Sequence, residues 1–349
     1  MHRTDCAQPG ADPRLDALVD WLARAGSDPW IEISPASADA SFRRYFRVRA
    51  SDGRTAVVMD APPPREDVRP FLRVNTILRD AGLHAPAVLA TDADAGFLLL
   101  EDLGRETYLQ AFPRLDRAAI DGLMRDAIAA LVRLQQVPFA TLGDGFPRYD
   151  AALLKRELDL FPEWYVGRHR GHALTDDERN ILARTEALLV AFASAQPQVL
   201  VHRDFMPRNL MRCEAGNPGV LDHQDAVIGP ISYDIAALLR DAFHSWDEAQ
   251  VIDWTVRYWE AARRAALPVP ADFGEFWRDV EWMGLQRHLK VLGIFARINY
   301  RDGKPHYLAD TPRFLGYVRA TAERYEAFTP LLRLIDRIEG REARVGYTF

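Results

Sequence analysis

The chain has 349 residues, of which 48% are hydrophobic, and a formal net charge of -6. That length and apolar share suffice for one large core or for two lobes, while the acidic balance excludes a typical binder of nucleic-acid backbone, which carries a clustered basic excess. Cys6 and Cys213 lie far apart without metal-ligand spacing, and read as free thiols in a reducing cytosol. The opening stretch MHRTDCAQPGADPRLD lacks the apolar core of a signal peptide, and no apolar run approaches about 18 residues. The expectation is a soluble cytoplasmic protein with neither membrane nor nucleic acid as a partner.

The first predicted element is a helix. PRLDALVDWLARAG places Leu15, Leu18, Val19 and Leu22 on one helical face, with Pro13 near its start and Gly26 after its end. WIEI, SFRRYFRVR and TAVVMDA follow as short stretches rich in β-branched and aromatic residues, separated by SPASADA and ASDG. They predict an antiparallel meander. EDVRPFLRVNTILRDAG reads as a helix stopped by Gly82, and APAVLATD and GFLLLED as two further strands. From about Glu106 helices dominate, at 115–136, 150–166, 175–195 and from Asp247 onward. Short strands interrupt them at QVLVH, NLMRC and GVLDH. The expected fold class is α+β, with a β-rich lobe over 1–102 that includes the N-terminal helix, and an α-rich lobe over 103–349.

Between two apolar runs, VLVHRDFMPRNLM sets out His202, Arg203, Asp204, Arg208 and Asn209, with Pro207 keeping the segment out of a helix. Phosphoryl transfer needs a carboxylate near the attacking hydroxyl and oxygen ligands for Mg²⁺. Asp204 fits the first need and Asn209 the second, with His202 bracing the loop through hydrogen bonds. A surface loop rich in polar side chains would look the same. The next stretch, GVLDHQDAVIGPISYDIAALLRD, ends an apolar strand on Asp222, a second carboxylate suited to a hard cation on phosphates. Alone Asp222 would read as a turn cap; paired with the first motif it reads as a ligand.

The order H-x-D-x-x-x-x-N, apolar strand, Asp, then GPISYDIAALL resembles the aminoglycoside phosphotransferase/choline kinase family, a branch of the two-lobed protein-kinase-like fold. The resemblance implies ATP and Mg²⁺ as cofactors, Asp204 as catalytic base, Asn209 and Asp222 as metal ligands, and Asp234 as a buried acceptor bracing the catalytic loop. It also makes FLLLEDLG the segment whose backbone, around Glu101 and Leu103, meets adenine. One element departs from the wider fold: where a strand of the form V-A-I-K supplies a phosphate-binding lysine, TAVVMDA has Met59. The turn ASADASFRRYFRV also has no glycine and relies on small residues such as Ser41. Arg43 or Arg44 is the candidate substitute, because a guanidinium grips phosphate bidentately. An arginine on an exposed strand face is the plainer alternative.

Beyond the catalytic loops, SADASFRRYFRV, VVMDAPPP, LDHQDAVIGPISYD and HLKVLGIFARINYRDGKPHYLADTPRFL resemble a subgroup of that family, the bacterial anomeric kinases of N-acetylmuramate and N-acetylglucosamine. This likeness implies transfer to the anomeric hydroxyl, an α-1-phosphate product and a place in cell-wall sugar recycling. In that subgroup the lysine-less strand belongs to working enzymes. The late segment offers Arg287, His288, Lys290, Arg297, Asn299, Tyr300, Arg301 and Lys304, of which Arg297 and Asn299 border an apolar run and are the candidates for sugar contact. Asp60, in MDAPPPREDVRPF, is a third. Two other functions fit the same residues: a kinase of another alcohol, aminoglycoside or choline-like, and a nucleotide-binding pseudokinase scaffold, which the absent lysine would suit.

Overall fold

The computed structural model describes residues 2–3, 12–25, 29–38 and 42–341. Packing divides the chain into two compact units: Met1–Arg114 with Arg208–Asp225, and Leu115–Pro207 with Ala226–Phe349.

The first unit is built on a six-stranded sheet: β1 (His2–Arg3), β2 (Trp30–Ala38), β3 (Arg44–Ala50), β4 (Thr55–Asp60), β5 (Val88–Asp92) and β6 (Phe97–Glu101), in the order β1-β2-β3-β4-β6-β5. Only the β1–β2 pair is parallel, so the meander expected of β2 to β4 is present. The alternation of side chains along a strand gives this sheet two distinct faces. Phe46, Val48, Ala56 and Val58 point to the helix Pro13–Ala25 and pack on its Leu15, Leu18, Trp21 and Leu22. Met59, Leu98 and Leu100 point the other way, towards Phe71 of the helix Arg69–Asp80. Both helices fall where their apolar spacing predicts. Two later strands, Leu210–Met211 and Gly219–Val220, pair antiparallel within the same unit.

The second unit is helical around Phe273–Asp302. Asp272 caps this helix by accepting from the Glu275 N–H at 3.0 Å, and Gly303, left-handed at φ 68°, ends it. Every residue from Met283 to Gly293 is buried, so it is apolar on all sides except at the polar positions discussed below, as a central helix must be. Two features differ from the sequence expectation. The helix foreseen over 150–166 is two pieces, Ala151–Leu158 and a π-helix Phe161–His169. Pro162 has no N–H to donate to the preceding turn, which breaks the α-helical ladder there. Val227–Pro230 is a strand paired antiparallel with Gln198–Val201, an element absent from the sequence expectation. Among the described residues no helix is long and apolar enough to cross a membrane.

Candidate active site

In the second unit the loop after the strand Gln198–Val201 carries His202, Arg203 and Asp204. Asp234, fully buried at the start of the helix Tyr233–Leu239, accepts from the N–H of His202 at 2.7 Å and of Arg203 at 2.9 Å. These bonds fix the backbone of the loop directly. Burial pushes the Asp234 carboxyl up to about 7, against the two N–H donors that pull it down. His202, also buried, accepts at Nδ1 from the Asp204 N–H at 3.3 Å. Arg203 sits at φ 75°, a conformation costing about 1–3 kcal/mol in a non-glycine residue and held only where surroundings over-determine it.

What over-determines it is a buried charge network. Glu157 accepts from Arg203 Nη2 at 2.6 Å, from Lys290 Nζ at 2.8 Å and from the Tyr149 hydroxyl, while Lys290 also donates to the Tyr233 hydroxyl at 3.1 Å. Burial raises the Glu157 carboxyl, but Lys290 and Arg203 outweigh it, so the group lies below the ordinary carboxylate range. Both cations also feel the charge of Asp204.

In the first unit, Asn209 and Asp222 stand together. The Asn209 side-chain amide nitrogen donates to Asp222 Oδ2 at 3.3 Å, the Asn209 backbone carbonyl accepts from the Leu221 N–H at 2.9 Å, and Gln224 donates to Asp222 Oδ1 at 2.8 Å. Asp222 is at φ 61°. Only three non-glycine residues among those described have positive φ, and Arg203 and Asp222 are two of them; backbone strain marks both candidate loops.

A pocket of about 270 Å³ opens beside this pair. Its apolar wall includes Met59, Leu100 and Leu221, and Glu101 to Gly104 run along its edge. Among the described residues no hydrogen bond engages the Leu103 N–H. Asp102 is held by Arg47 at 2.6 and 2.9 Å, and Arg47 also reaches the Gly104 carbonyl at 2.6 Å, so this edge is rigid. Strand parity sorts the remaining candidates. Tyr45, Arg47, Val57 and Met59 face the pocket; Arg44 and Asp60 are cross-strand partners on the opposite face. Asp60, fully buried, accepts from Arg44 at 2.6 and 2.9 Å and from Arg14 of the covering helix at 2.7 Å. Arg44 is further held by Asp12. Arg43 is paired with Glu66 at 3.0 Å and lies in the field of Asp222. Ser41 lies outside the described residues, as does Cys6; Cys213 is a free thiol.

Residues 32–271 match the model of a family described as "Phosphotransferase enzyme family". The chain belongs to that family. It is 50% identical over 344 residues, 98% of either chain, to a Pseudomonas aeruginosa protein named N-acetylmuramate/N-acetylglucosamine kinase. A Pseudomonas putida protein of the same name is 48% identical, covering 95% of this chain and 98% of its own. Among solved structures, ADP-bound aminoglycoside phosphotransferase APH(2'')-Ib has the same kinase-like fold, with a TM-score of 0.55 at 16% identity over 86% of this chain and 97% of its own.

Within the family's fold, Arg297 and Asn299 lie far along the long helix and are half-buried. Among the described residues Arg297 Nε has no hydrogen-bond partner, and burial pulls the pKa of the guanidinium down. The backbone carbonyl of Asn299 accepts the Gly303 N–H at 3.1 Å, as the end of the helix requires. Glu157, Arg47 and the full role of Lys290 were not foreseen. Nothing at Glu157 in ELDLF distinguishes it from a surface acid on a helix; only the fold brings Arg203 and Lys290 to it.

Proposed function

We propose that this protein is an ATP-dependent kinase that phosphorylates the anomeric hydroxyl of N-acetylmuramate and N-acetylglucosamine, giving the α-1-phosphate. The observation that carries the reading is identity of about half the residues over nearly the whole length of two kinases so named. The strain and bracing concentrated at Arg203 and Asp222 support it from the side of the structure.

In this reading Asp204 orients the sugar hydroxyl and accepts its proton as the phosphoryl group leaves ATP. Asp234 and Glu157 hold that carboxylate's loop, the first through backbone N–H groups and the second through Arg203. The pocket of the first unit takes the adenine, its apolar wall covering the ring and the Leu103 N–H and Glu101 edge reading its polar atoms. Asn209 and Asp222 would hold Mg²⁺. Their oxygen donors suit a hard cation that keeps waters and phosphate oxygens as its other ligands. The metal would neutralise phosphate charge.

Arg43 is the cation that takes the place of the missing lysine, since Arg44 is spent on Asp60 and Asp12 on the other face of the sheet. For Asp60 the same geometry favours fastening the helix Pro13–Ala25 over meeting a sugar. Arg297 and Asn299 remain the outer candidates for sugar contact. A kinase of this chemistry works on cell-wall sugars in the cytoplasm.

The test is the product. With Mg²⁺-ATP and N-acetylglucosamine, phosphorus-coupled splitting of the anomeric proton in NMR is expected. A phosphate on the 6-hydroxyl, or no phosphosugar from either amino sugar, would overturn the reading.

A further inference from the structure

Arg47 and Val57 are cross-strand partners on β3 and β4, and Tyr45 and Met59 are the next pair along the same face. All four line the pocket of the first unit. Arg47 also reaches the pocket's edge. Its Nε and Nη2 grip the two oxygens of Asp102 at 2.6 and 2.9 Å, and Nη2 donates again to the Gly104 carbonyl at 2.6 Å. A bidentate pair of this kind sets the plane of a guanidinium as well as its position. With its side chain 14% exposed, the group is a fixed part of the wall.

The two residues that Arg47 holds flank Leu103, whose N–H no hydrogen bond engages among the described residues. A base accepting from that N–H is read along its edge and leaves both of its faces to the walls. Met211 and Leu221, from the segment 208–225, line the pocket and give apolar contact. On the sheet, Val57 is small beside a bicyclic ring, and the guanidinium at its side extends the cover. A guanidinium stacks on aromatic rings through its flat face.

A phosphate would instead take a paired edge of the guanidinium, and the edge formed by Nε and Nη2 is occupied by Asp102. Position argues the same way. Tyr45 stands two residues, about 7 Å, along the strand. Arg43, two residues beyond it, lies in the field of Asp222 beside the candidate metal pair. Arg47 stands at the end of the pocket that carries the Leu103 N–H.

We propose that the guanidinium of Arg47, fastened by Asp102, is the face on which the purine base of the nucleotide stacks. The stack rests on the reading of this pocket as the nucleotide site. Because it follows the base and not the phosphates, Arg47 contributes equally to ATP and to adenosine.

The test measures Kd for ATP and for adenosine in the wild type, Arg47→Lys and Arg47→Phe. Lysine keeps an ion pair with Asp102 but has no flat face; phenylalanine has the face but no ion pair. Arg47→Lys is expected to weaken both ligands by the same factor, about 5- to 30-fold, the range of one base stack. Arg47→Phe should stay within about 3-fold of the wild type for both. Arg47→Phe falling as far as Arg47→Lys, or Arg47→Lys binding as the wild type does, would make Arg47 a brace for residues 102–104 and overturn the stack. A loss confined to ATP would make it a phosphate ligand and overturn the stack equally. Should Arg47→Phe not fold, Arg47→Lys still decides, since a brace needs the charge and a stack needs the plane. A folded wild type that binds neither ligand would instead bring down the nucleotide reading, and the stack with it.

Discussion

Glu157→Gln changes one oxygen to an amide nitrogen and removes one charge from the most connected buried network of the second unit. Glu157 is 6% exposed and receives Arg203 at 2.6 Å, Lys290 at 2.8 Å and the Tyr149 hydroxyl. The amide keeps the shape but takes from two cations the counter-charge they share, in a largely buried site. Breaking a buried ion pair from one side costs about 3–5 kcal/mol. That is a large part of the ~5–15 kcal/mol that holds an ordinary domain together. Urea unfolding of wild type and variant should therefore show the midpoint falling with an unchanged slope. Adding Lys290→Met should recover part of the loss, because one stranded cation is then removed, and the cycle should give a coupling of about 1 kcal/mol or more. Because Arg203 is the neighbour of Asp204, kcat should fall in Glu157→Gln while the KM for ATP holds. A loss below about 1 kcal/mol, or strictly additive effects, would refute the claim that Glu157 holds this loop through its charge.

Arg43→Met should raise the KM for ATP with little change in melting temperature, whereas Arg44→Met should lower the melting temperature by stranding Asp60; the reverse pattern would exchange their roles. Asp234 has a folded pKa raised to about 7, so its contribution to stability is full below about pH 4 and is lost as pH rises through about 7. Stability measured by urea between pH 5 and 8 should thus decline more in the wild type than in Asp234→Asn, and parallel profiles would show that the carboxyl does not titrate there. Gly293→Ala should destabilise by about 1–3 kcal/mol or more, since a Cβ would stand 2.4 Å from the Leu160 carbonyl atoms; calorimetry that shows no loss would mean the π-helix entry shifts freely.

Periodicity carried most of the fold. Leu15, Leu18 and Leu22 announced a helix, and the β-branched runs around Val48 and Val58 announced strands, because local burial patterns are written locally. The candidate loops were legible for another reason: Asp204, Asn209 and Asp222 stand at fixed short spacings, and a strained turn cannot tolerate many alternatives. The faces of the sheet were harder. Parity alone separates Arg43 from Arg44 and sets Asp60 apart from Met59, but it decides only once the strand's pairing is known, and β2 carries register shifts against β3. The Glu157 network was out of reach, since it joins a loop residue, Arg203, to Glu157 and Lys290 on two helices distant in the chain, whose only common feature is the core they share.

The central claim is that Asp204 serves transfer from ATP to an amino sugar. The most direct measurement is ADP release with Mg²⁺-ATP, with and without N-acetylmuramate or N-acetylglucosamine, for the wild type and for Asp204→Asn. Release that depends on the sugar and falls by orders of magnitude in a folded Asp204→Asn is the predicted result. Release that ignores the sugar, or that survives in the variant, would contradict it.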